Sequence, residues 1–239
     1  MKRVFSIVIL ALLLVYIGIA LAAFCPRPAA PVCDGIELMG TGTSQFETQQ
    51  EVIGLLSRFG LDPVGKPMDE ISCSAIEDSL STLPLVLHCD CFKSAGSKVG
   101  INIACRTPIM RIIPDRGTGG YIDREGVLFD RLPRPVSLPV ATGDIDKAFA
   151  ERELYEIALF LQKDKFWNAQ IEQIHVTAAH DLELVPRVGD HIIRFGKVER
   201  VKQKFAKLQT FYEKGLNQVG WNRYSVIDIR YGDQVIGIK

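Results

Sequence analysis

The sequence predicts an α+β protein with a single N-terminal transmembrane helix and two folded domains outside the membrane. Three observations predict this fold class. An apolar stretch of membrane-spanning length occupies Val4–Phe24. A strand, two helices and two strands are predicted in residues 32–109, and further strands with two amphipathic helices in residues 110–239. Strands and helices that do not alternate regularly are typical of α+β architectures.

The stretch Val4–Phe24 is long enough to cross a bilayer core of about 30 Å as a helix, and its only hydroxyls are on Ser6 and Tyr16. Lys2 and Arg3 precede it, and the next basic residue is Arg27. Because basic residues stay in the cytoplasm, we expect residues 1–3 to form a cytoplasmic tail. Residues 25–239 would then lie outside the cytoplasm, without a supply of ATP or NAD(P)H.

Two alternatives compete with a permanent anchor. Ala20-Leu21-Ala22 resembles a signal-peptidase site, but the apolar run exceeds the 7–15 residues usual for a signal core. Cys25 suggests a lipidated cysteine, but the preceding Phe24 is bulky where a small residue is expected. The sequence therefore favours an uncleaved anchor.

Charge excludes some partners. The chain has 28 Lys and Arg residues, and two of them precede the anchor, which leaves 26 against 28 Asp and Glu residues. A nearly neutral exported part gives no electrostatic reason to bind nucleic acid or anionic lipid. We expect no cofactor, and contact with the bilayer only through Val4–Phe24.

Of the six cysteines, which an exported chain could oxidise, Cys89, Cys91 and Cys105 are predicted to be buried thiols with at most one disulfide among them and no bound metal. Alternation along a strand places Leu87, Cys89 and Cys91 on one face. Small apolar side chains of this kind are typically buried under a sheet. A zinc site of His88, Cys89 and Cys91 is the alternative, but His88 points to the opposite face of that strand. The positions are Cys25, Cys33, Cys73, Cys89, Cys91 and Cys105.

The first domain, residues 32–109, follows a proline-containing linker over residues 25–31. A strand is predicted at Val32–Met39, and Ser44–Glu47 leads into a helix that Gly60 ends. Asp69–Ser72 opens a second helix. Two strands then form a hairpin around Ser94–Ser97. The core side of the first helix is predicted to hold Val52, Leu55, Leu56 and Phe59, and the hairpin strands are Leu85–Phe92 and Lys98–Arg106.

The second domain, residues 110–239, begins with strands around Gly117–Gly120. These glycines could cradle a phosphate, but no Lys-Ser/Thr and no helix follow, so a tight turn is the better interpretation. Asp144 or Asp146 is predicted to cap a helix that runs to Gln162. The strands are Met110–Pro114, Tyr121–Phe129 and Val136–Ala141, and the buried face of the helix is Phe149, Leu154, Ile157, Ala158 and Leu161.

Three strands and a second helix follow. His175 and His180 have no carboxylate at metal-binding spacing, so we interpret them as unrelated polar residues. The helix is predicted to have a Lys- and Glu-rich solvated face and to end at Gly215. The strands are Ile171–Val176, Leu182–Val185 and His191–Phe195, and the apolar helix positions are Val198, Val201, Phe205, Leu208 and Phe211 or Tyr212.

The stretch Tyr224–Lys239 predicts a β-hairpin with a two-residue turn at Gly232-Asp233. The predicted cross-strand pairs are Tyr231 with Gln234, Ile229 with Ile236, and Ile227 with Ile238. The final strand would then be a sheet edge whose unpaired main-chain groups are a template for a partner strand.

Catalytic motifs such as Gly-x-Ser-x-Gly or a zinc-binding helix are missing from the sequence. This favours an interaction protein over an enzyme. The alternative is an anchored or secreted periplasmic protein that binds or cleaves the cell wall, which activity on peptidoglycan would reveal.

The chain resembles the FtsQ/DivIB family of bacterial cell-division proteins, and within it the Bacteroidetes type. The resemblance rests on the order and spacing of several segments over the whole chain. They are VCDGIEL, RTPIMRIIPDRGTGGYIDREGVLF, PVATGDI, LVPRVGDHIIRFGKVERVKQKFAKLQTFYEKGL and GWNRYSVIDIRYGDQVIGIK.

The resemblance implies a POTRA domain at residues 32–109, a mostly antiparallel β domain at 110–239, and a scaffold that is not an enzyme. It also implies a single-pass inner-membrane protein with a periplasmic ectodomain at the division septum. The partners would be FtsB and FtsL, which help control septal peptidoglycan synthesis by FtsW and FtsI. In the family, an FtsB-type partner adds a strand to the last strand of the β domain. The matching residues are Arg230, Tyr231, Val235, Ile236, Gly237, Ile238 and Lys239.

Overall fold

The computed structural model describes residues 10–20, 30–39, 46, 48–132, 134–232 and 234–239. Several sequence predictions fall outside these residues. They concern the cytoplasmic tail, both ends of the predicted anchor, most of the linker with Cys25, the start of the first predicted helix at Ser44, Gln45 and Glu47, and Asp233 of the predicted turn.

A helix, α1, covers residues 10–20, and its side chains are almost all exposed. In the part of the chain that the structure describes, no helix has both the length and the apolar character needed to cross a bilayer. The predicted anchor includes residues 4–9 and 21–24, which are not described.

The first unit has the predicted order β-α-α-β-β. Its three-stranded sheet has the order β1-β3-β2, with β1 parallel and β2 antiparallel to β3. Thr48 and Ser72 cap the two helices, each by accepting a hydrogen bond from a main-chain N–H in the first turn. The elements are β1 Gly35–Met39, α2 Gln49–Arg58, α3 Cys73–Ser81, β2 Val86–Lys93 and β3 Lys98–Cys105.

Two side chains of this unit do not lie where the sequence placed them. Leu87 is exposed, because the register of β2 against β3 shifts between Val86 and His88 and turns Val86 inward instead. Phe59 is also exposed, since α2 ends one residue before it. Beyond the shift, alternation holds: Cys89 and Cys91 are buried, as predicted.

The second unit is a nine-stranded mixed sheet in the order β12-β11-β10-β9-β8-β7-β4-β5-β6. Five of its eight neighbouring pairs are antiparallel. Its strands are β4 Pro108–Pro114, β5 Gly120–Asp123, β6 Leu128–Phe129, β7 Val140–Gly143, β8 Ile171–Val176, β9 Leu182–Pro186, β10 Ile192–Gly196, β11 Val226–Asp228 and β12 Ile236–Ile238.

Helices pack on one face of this sheet and bury a large apolar core. Helix α4 begins after the cap Asp146 and runs as Lys147–Phe149, a π-helical segment Ala150–Leu154, and Tyr155–Lys163. All five residues predicted for its inner face are buried. The sequence analysis missed a short helix, α5, at Lys165–Gln170, which Asp164 caps.

Helix α6 corrects two predictions. Its first segment is Val201–Phe211, but Gly215 does not end it, because a π-helical segment Tyr212–Leu216 and a further turn Asn217–Val219 continue it. The wider π turn keeps both Tyr212 and Leu216 buried. Its lysine face is not fully solvated either, since Lys204 is buried and donates to the carbonyl oxygens of Phe195 and Lys197 at 3.0 and 2.8 Å.

Two predicted strands are shorter than the sequence suggested. Tyr121–Phe129 is interrupted by a turn at Gly126 and forms the separate strands β5 and β6. The predicted strand Val136–Ala141 begins only at Val140, which is the first residue that pairs with both neighbouring strands, β4 and β8. The Gly117–Gly120 stretch is the predicted turn, and it joins the antiparallel strands β4 and β5.

Candidate partner-binding edge

Strand β12 is the outermost strand of the nine-stranded sheet. It pairs antiparallel with β11, and the register joins Val226 to Ile238, Ile227 to Gly237, and Asp228 to Ile236. On its other side, no strand pairs with it among the described residues. This confirms the prediction that the last strand is a sheet edge.

The register of this hairpin differs by one residue from the predicted one. The sequence paired Ile227 with Ile238, whereas the structure pairs Ile227 with Gly237. A one-residue slip moves every side chain to the other face. Ile236 and Ile238 therefore lie exposed on the outer face instead of in the core. The loop between the strands is residues 229–235, not a two-residue turn.

Hydrogen bonds from β10 define the direction of the main-chain groups in β11. The Ile192 N–H donates to the Ser225 carbonyl at 3.0 Å, and the Ile229 N–H donates to the Arg194 carbonyl at 3.0 Å. Main-chain groups of alternate residues point to opposite sides of a strand. The main-chain N–H and C=O of Ile227 therefore point toward β10, and those of Val226 and Asp228 point toward β12.

The same alternation defines the open side of β12. Val226 and Asp228 point their main-chain groups at Ile238 and Ile236, their register partners. The N–H and C=O of Gly237, between these two, consequently point away from β11. The middle of β12 thus presents one donor and one acceptor to the free side of the sheet.

Gly237 makes room for a neighbouring aromatic ring. A Cβ atom at this position would lie 2.6 Å from the ring of Tyr224. That ring covers the inner side of β12, and its centroid lies 6.0 Å from the ring centroid of Phe211 on α6. A glycine within a strand often marks such a close approach, so Tyr224 supports the edge strand from the core side.

Arg230 holds the loop before β12 through its pairing with Asp228, and its side chain stays 40% exposed. Its guanidinium contacts both carboxylate oxygens of the buried Asp228, with Nη2 to Oδ2 at 2.6 Å, and its main-chain N–H donates to the same carboxylate. Burial alone would raise the pKa of Asp228, but these hydrogen bonds outweigh it and hold the pKa below its usual range. The stem of Arg230 packs over Gly196, whose φ of +74° and missing Cβ make room for it.

Lys207 of α6 fixes the other part of the loop. Its Nζ donates to the carbonyl oxygens of Ile229 and Gly232 at 3.2 and 3.3 Å, and also to that of Tyr231. The Tyr231 side chain is exposed and lies beside the Arg230 guanidinium. The loop that carries β12 is therefore bound to the helix at several points.

An open groove of about 450 Å³ runs beside the edge, between α6 and the residue that precedes β12. Two lysines and two large apolar side chains contribute to its wall. The lining residues are Lys207, Thr210, Phe211, Lys214, Gly215 and Val235.

The outer face of the sheet carries an apolar row that ends at β12. Register joins Ile192 to Val226 and Val226 to Ile238 across three neighbouring strands. Ile192 and Ile238 are exposed, and Val226 is partly exposed. A strand added to β12 would extend this row by one more side chain.

The seven predicted site residues thus divide into two groups. Arg230 positions the loop, whereas Tyr231, Val235 and the residues of β12 with Lys239 lie at the open edge or its groove. Sequence reasoning missed Lys207, Phe211, Tyr224 and Asp228, which build the site. The Tyr224–Gly237 contact depends on the slipped register, which no local pattern revealed.

Other candidate sites are less developed. A hollow of about 520 Å³ lies at the Gly117–Gly120 turn, where Asp146 is engaged as the cap of α4. His88 is exposed and pairs with Asp90 at 2.8 Å, on the opposite face from Cys89. Within the described ranges, no group of three or more His, Cys, Asp and Glu residues could hold a metal ion.

The fold and this site define a class: an α+β protein in which a small three-stranded unit precedes a large mixed sheet with a strand edge available for pairing. A family model described as FtsQ/DivIB, C-terminal related, matches residues 107–237, more than half of the chain. A POTRA-like domain model matches residues 31–104. No curated protein matches the chain.

The chain therefore belongs to the FtsQ/DivIB family. This is a family of non-enzymatic scaffold proteins of bacterial cell division, which work through protein–protein interactions. The first unit is a POTRA-like domain, as the resemblance implied.

Proposed function

We propose that this protein is a membrane-anchored scaffold of the division machinery that binds FtsB- and FtsL-like partners at the β12 edge. Through them it helps to control septal peptidoglycan synthesis by FtsW- and FtsI-like synthases. Val4–Phe24 is the proposed anchor in the inner membrane, with the C-terminal part in the periplasm at the division septum.

One observation carries this proposal: the main-chain N–H and C=O of Gly237 point to the unpaired side of β12. Strand addition needs such groups for affinity and needs nearby side chains for specificity. The groove with Val235 and Phe211 lies on the inner side, and the row ending in Ile238 lies on the outer side. A partner strand would contact both.

The proposed topology has its own test. Lys2 and Arg3 precede the apolar stretch, and no basic residue follows until Arg27. A reporter that is active only outside the cytoplasm, fused after Lys239, should be active. Activity of a cytoplasm-only reporter at that position would contradict the topology.

The edge is tested by Gly237→Pro, with Gly237→Ala as the matched control. Both variants place a Cβ against the Tyr224 ring, so both share the steric cost. Only proline removes the N–H that faces the open side. We expect co-purification of the FtsB-like partner with the full-length Gly237→Pro protein to fall at least about tenfold below that with Gly237→Ala.

A second control is Ile238→Pro, which removes a donor that faces β11 instead of the open side. This variant should lower the thermal midpoint more than Gly237→Pro does. Equal partner binding by Gly237→Pro and Gly237→Ala, with both proteins folded, would show that the binding surface lies elsewhere.

A further inference from the structure

The two units of the chain meet at a junction without a shared hydrophobic core. The buried apolar residues of the first unit and those of the second form two separate clusters, and among the described residues none belongs to both. Two units without a large apolar interface move relative to each other by default. Polar contacts across the junction therefore decide whether the POTRA-like unit and the sheet keep one orientation.

Arg106, directly after β3, is hydrogen-bonded to both units. Its main-chain N–H and its Nε donate to the carbonyl oxygens of Leu85 and Pro84, at 2.8 and 3.0 Å, in the first unit. Its Nη1 contacts the Oδ2 of Asp123, at the end of β5, at 2.7 Å. The guanidinium thus bridges the residues before β2 and the second unit.

The carboxylate of Asp123 is held by further hydrogen bonds. It is fully buried and also accepts from the N–H groups of Glu125 and Val127 at 3.0 and 2.7 Å. Next to it, the N–H of Arg124 donates to the carbonyl oxygen of Thr107 at 3.0 Å. Hydrogen bonds between a guanidinium and a carboxylate are strong and directional. These contacts fix the chain around Thr107 and form the first point of attachment.

A second contact joins the units through other elements. Arg134 lies in the segment between β6 and β7, and its Nη2 contacts the Oε1 of Glu51, in the first turn of α2, at 2.8 Å. The two side chains are 36% and 41% exposed, so this ion pair contributes little to stability by itself. It can still restrict rotation, because it lies on elements that take no part in the first attachment.

We propose that Arg106 and Arg134 together form a two-point lock that fixes the orientation of the POTRA-like unit on the nine-stranded sheet. One attachment would leave a hinge at Thr107, whereas two attachments on different elements remove the rotation about it. The lock is a property of the folded chain and does not depend on a partner. Under the proposed function, it would hold the β12 edge at a constant orientation relative to β1, the first strand after the proposed anchor.

The experiment measures the distance between the two units in the purified full-length protein. Ketone-bearing amino acids at Glu70 and Lys202, both exposed, carry spin labels without use of the native cysteines. Double electron–electron resonance should give one narrow distance distribution for the otherwise unchanged chain. Arg134→Met should widen it about twofold, since the remaining attachment acts as a hinge. The matched control Arg152→Met breaks an ion pair with Glu153 inside the second unit and should leave the width unchanged.

Arg106→Met also leaves a buried carboxylate without its cation, so the decisive variants are at the exposed pair. Arg134→Glu should widen the distribution at least as much as Arg134→Met does. The exchange Glu51→Arg/Arg134→Glu should restore the narrow distribution, because the swapped ion pair joins the same elements.

A distribution that is already broad in the unchanged chain, or one that stays narrow in both single variants at Arg134, would overturn the lock. So would broadening that the exchange does not reverse, or equal broadening in Arg152→Met. Since no partner enters this experiment, its failure is distinguishable from failure of the proposed function.

Discussion

Each of the two edge hairpins of the nine-stranded sheet contains a buried aspartate that is paired with an arginine. The two ion pairs connect different parts of the structure. Asp123, at the end of β5, accepts from the N–H groups of Glu125 and Val127 and binds Arg106 at 2.7 Å. Asp228, at the end of β11, binds Arg230 of its own loop at 2.6 Å. The first pair ties a tight turn to the junction with the POTRA-like unit, and the second holds a long loop.

The two edge strands differ accordingly. Strand β6 is only Leu128–Phe129, its Phe129 is buried, and Asp130 and Arg131 follow it directly. Short strands and nearby charges are common protection against unwanted pairing. Strand β12 instead presents Ile236 and Ile238 to solvent. The β6 edge therefore carries this protection, and the β12 edge, where we propose that a partner binds, does not.

The largest effect should come from breaking the pair at β5. Arg106→Met leaves the fully buried Asp123 carboxylate without its cation, which should cost about 3–5 kcal/mol of unfolding free energy. Urea unfolding measures this loss. The double variant Arg106→Met/Asp123→Asn should recover part of it. A loss below about 1 kcal/mol would show that this pair does not hold the β6 side.

Adding charge to the open edge should give the next largest effect. Ile236 and Ile238 are 40% and 41% exposed, and covering each by a partner is worth about 1 kcal/mol. Ile236→Lys/Ile238→Lys should weaken partner binding about thirtyfold in a pull-down titration. The control Ile113→Lys/Val127→Lys adds the same charge at 41% and 40% exposed positions on the β4–β6 side. If both doubles weaken binding equally, the two edges are equivalent and the comparison fails.

A smaller effect is expected at the loop pair. Arg230→Gln removes the hydrogen bonds that lower the pKa of Asp228, which should cost about 1 kcal/mol after solvent screening. A depressed carboxyl pKa contributes stability above the unfolded value of about 3.9 and loses it as pH falls through the folded value. The difference in thermal midpoint between wild type and variant should therefore be full at pH 7 and vanish in acid. A difference that is the same at every pH would exclude this role of Asp228.

The smallest effect concerns His191, which supports α6 behind the groove. Its Nε2 contacts the Tyr212 hydroxyl at 2.8 Å, and burial lowers its pKa. A histidine of this kind stabilises the fold above its unfolded pKa of about 6.5, and this stability is lost as pH falls below that value. One proton gives at most about 1.4 kcal/mol per pH unit. His191→Gln should flatten the change in thermal midpoint between pH 8 and 5.

Local patterns in the sequence predicted the β-α-α-β-β order of the first unit and the core face of α4 because periodicity and capping residues decide them, whereas the POTRA assignment came from the family resemblance. Asp146, one of the two caps predicted for α4, does cap it, and Ser72, in the stretch predicted to open α3, caps that helix. The same patterns placed the last strand at a sheet edge. These features depend on residues close together in the chain.

The predictions that were wrong concern features that depend on residues far apart in the chain. In the last hairpin, the Gly232-Asp233 signal favoured a tight turn, but Lys207, from another element, binds the carbonyls of Ile229 and Gly232 and stabilises a longer loop. Lys204 can be buried because the carbonyl oxygens of Phe195 and Lys197, at the end of β10, accept hydrogen bonds from its ammonium group. The bulge at Val86–His88 likewise becomes visible only against β3.

The shortness of β12 limits the affinity with which a partner strand can bind to it. With Gly237 at its centre, the strand offers few outward main-chain groups, each worth about 1 kcal/mol net. Even a micromolar complex needs about 8 kcal/mol. Under the proposed function, two proteins confined to the same membrane meet at a high effective concentration, so a strand contact of modest affinity can suffice there. Such an interaction would assemble on the bilayer and come apart readily once the machinery is dismantled.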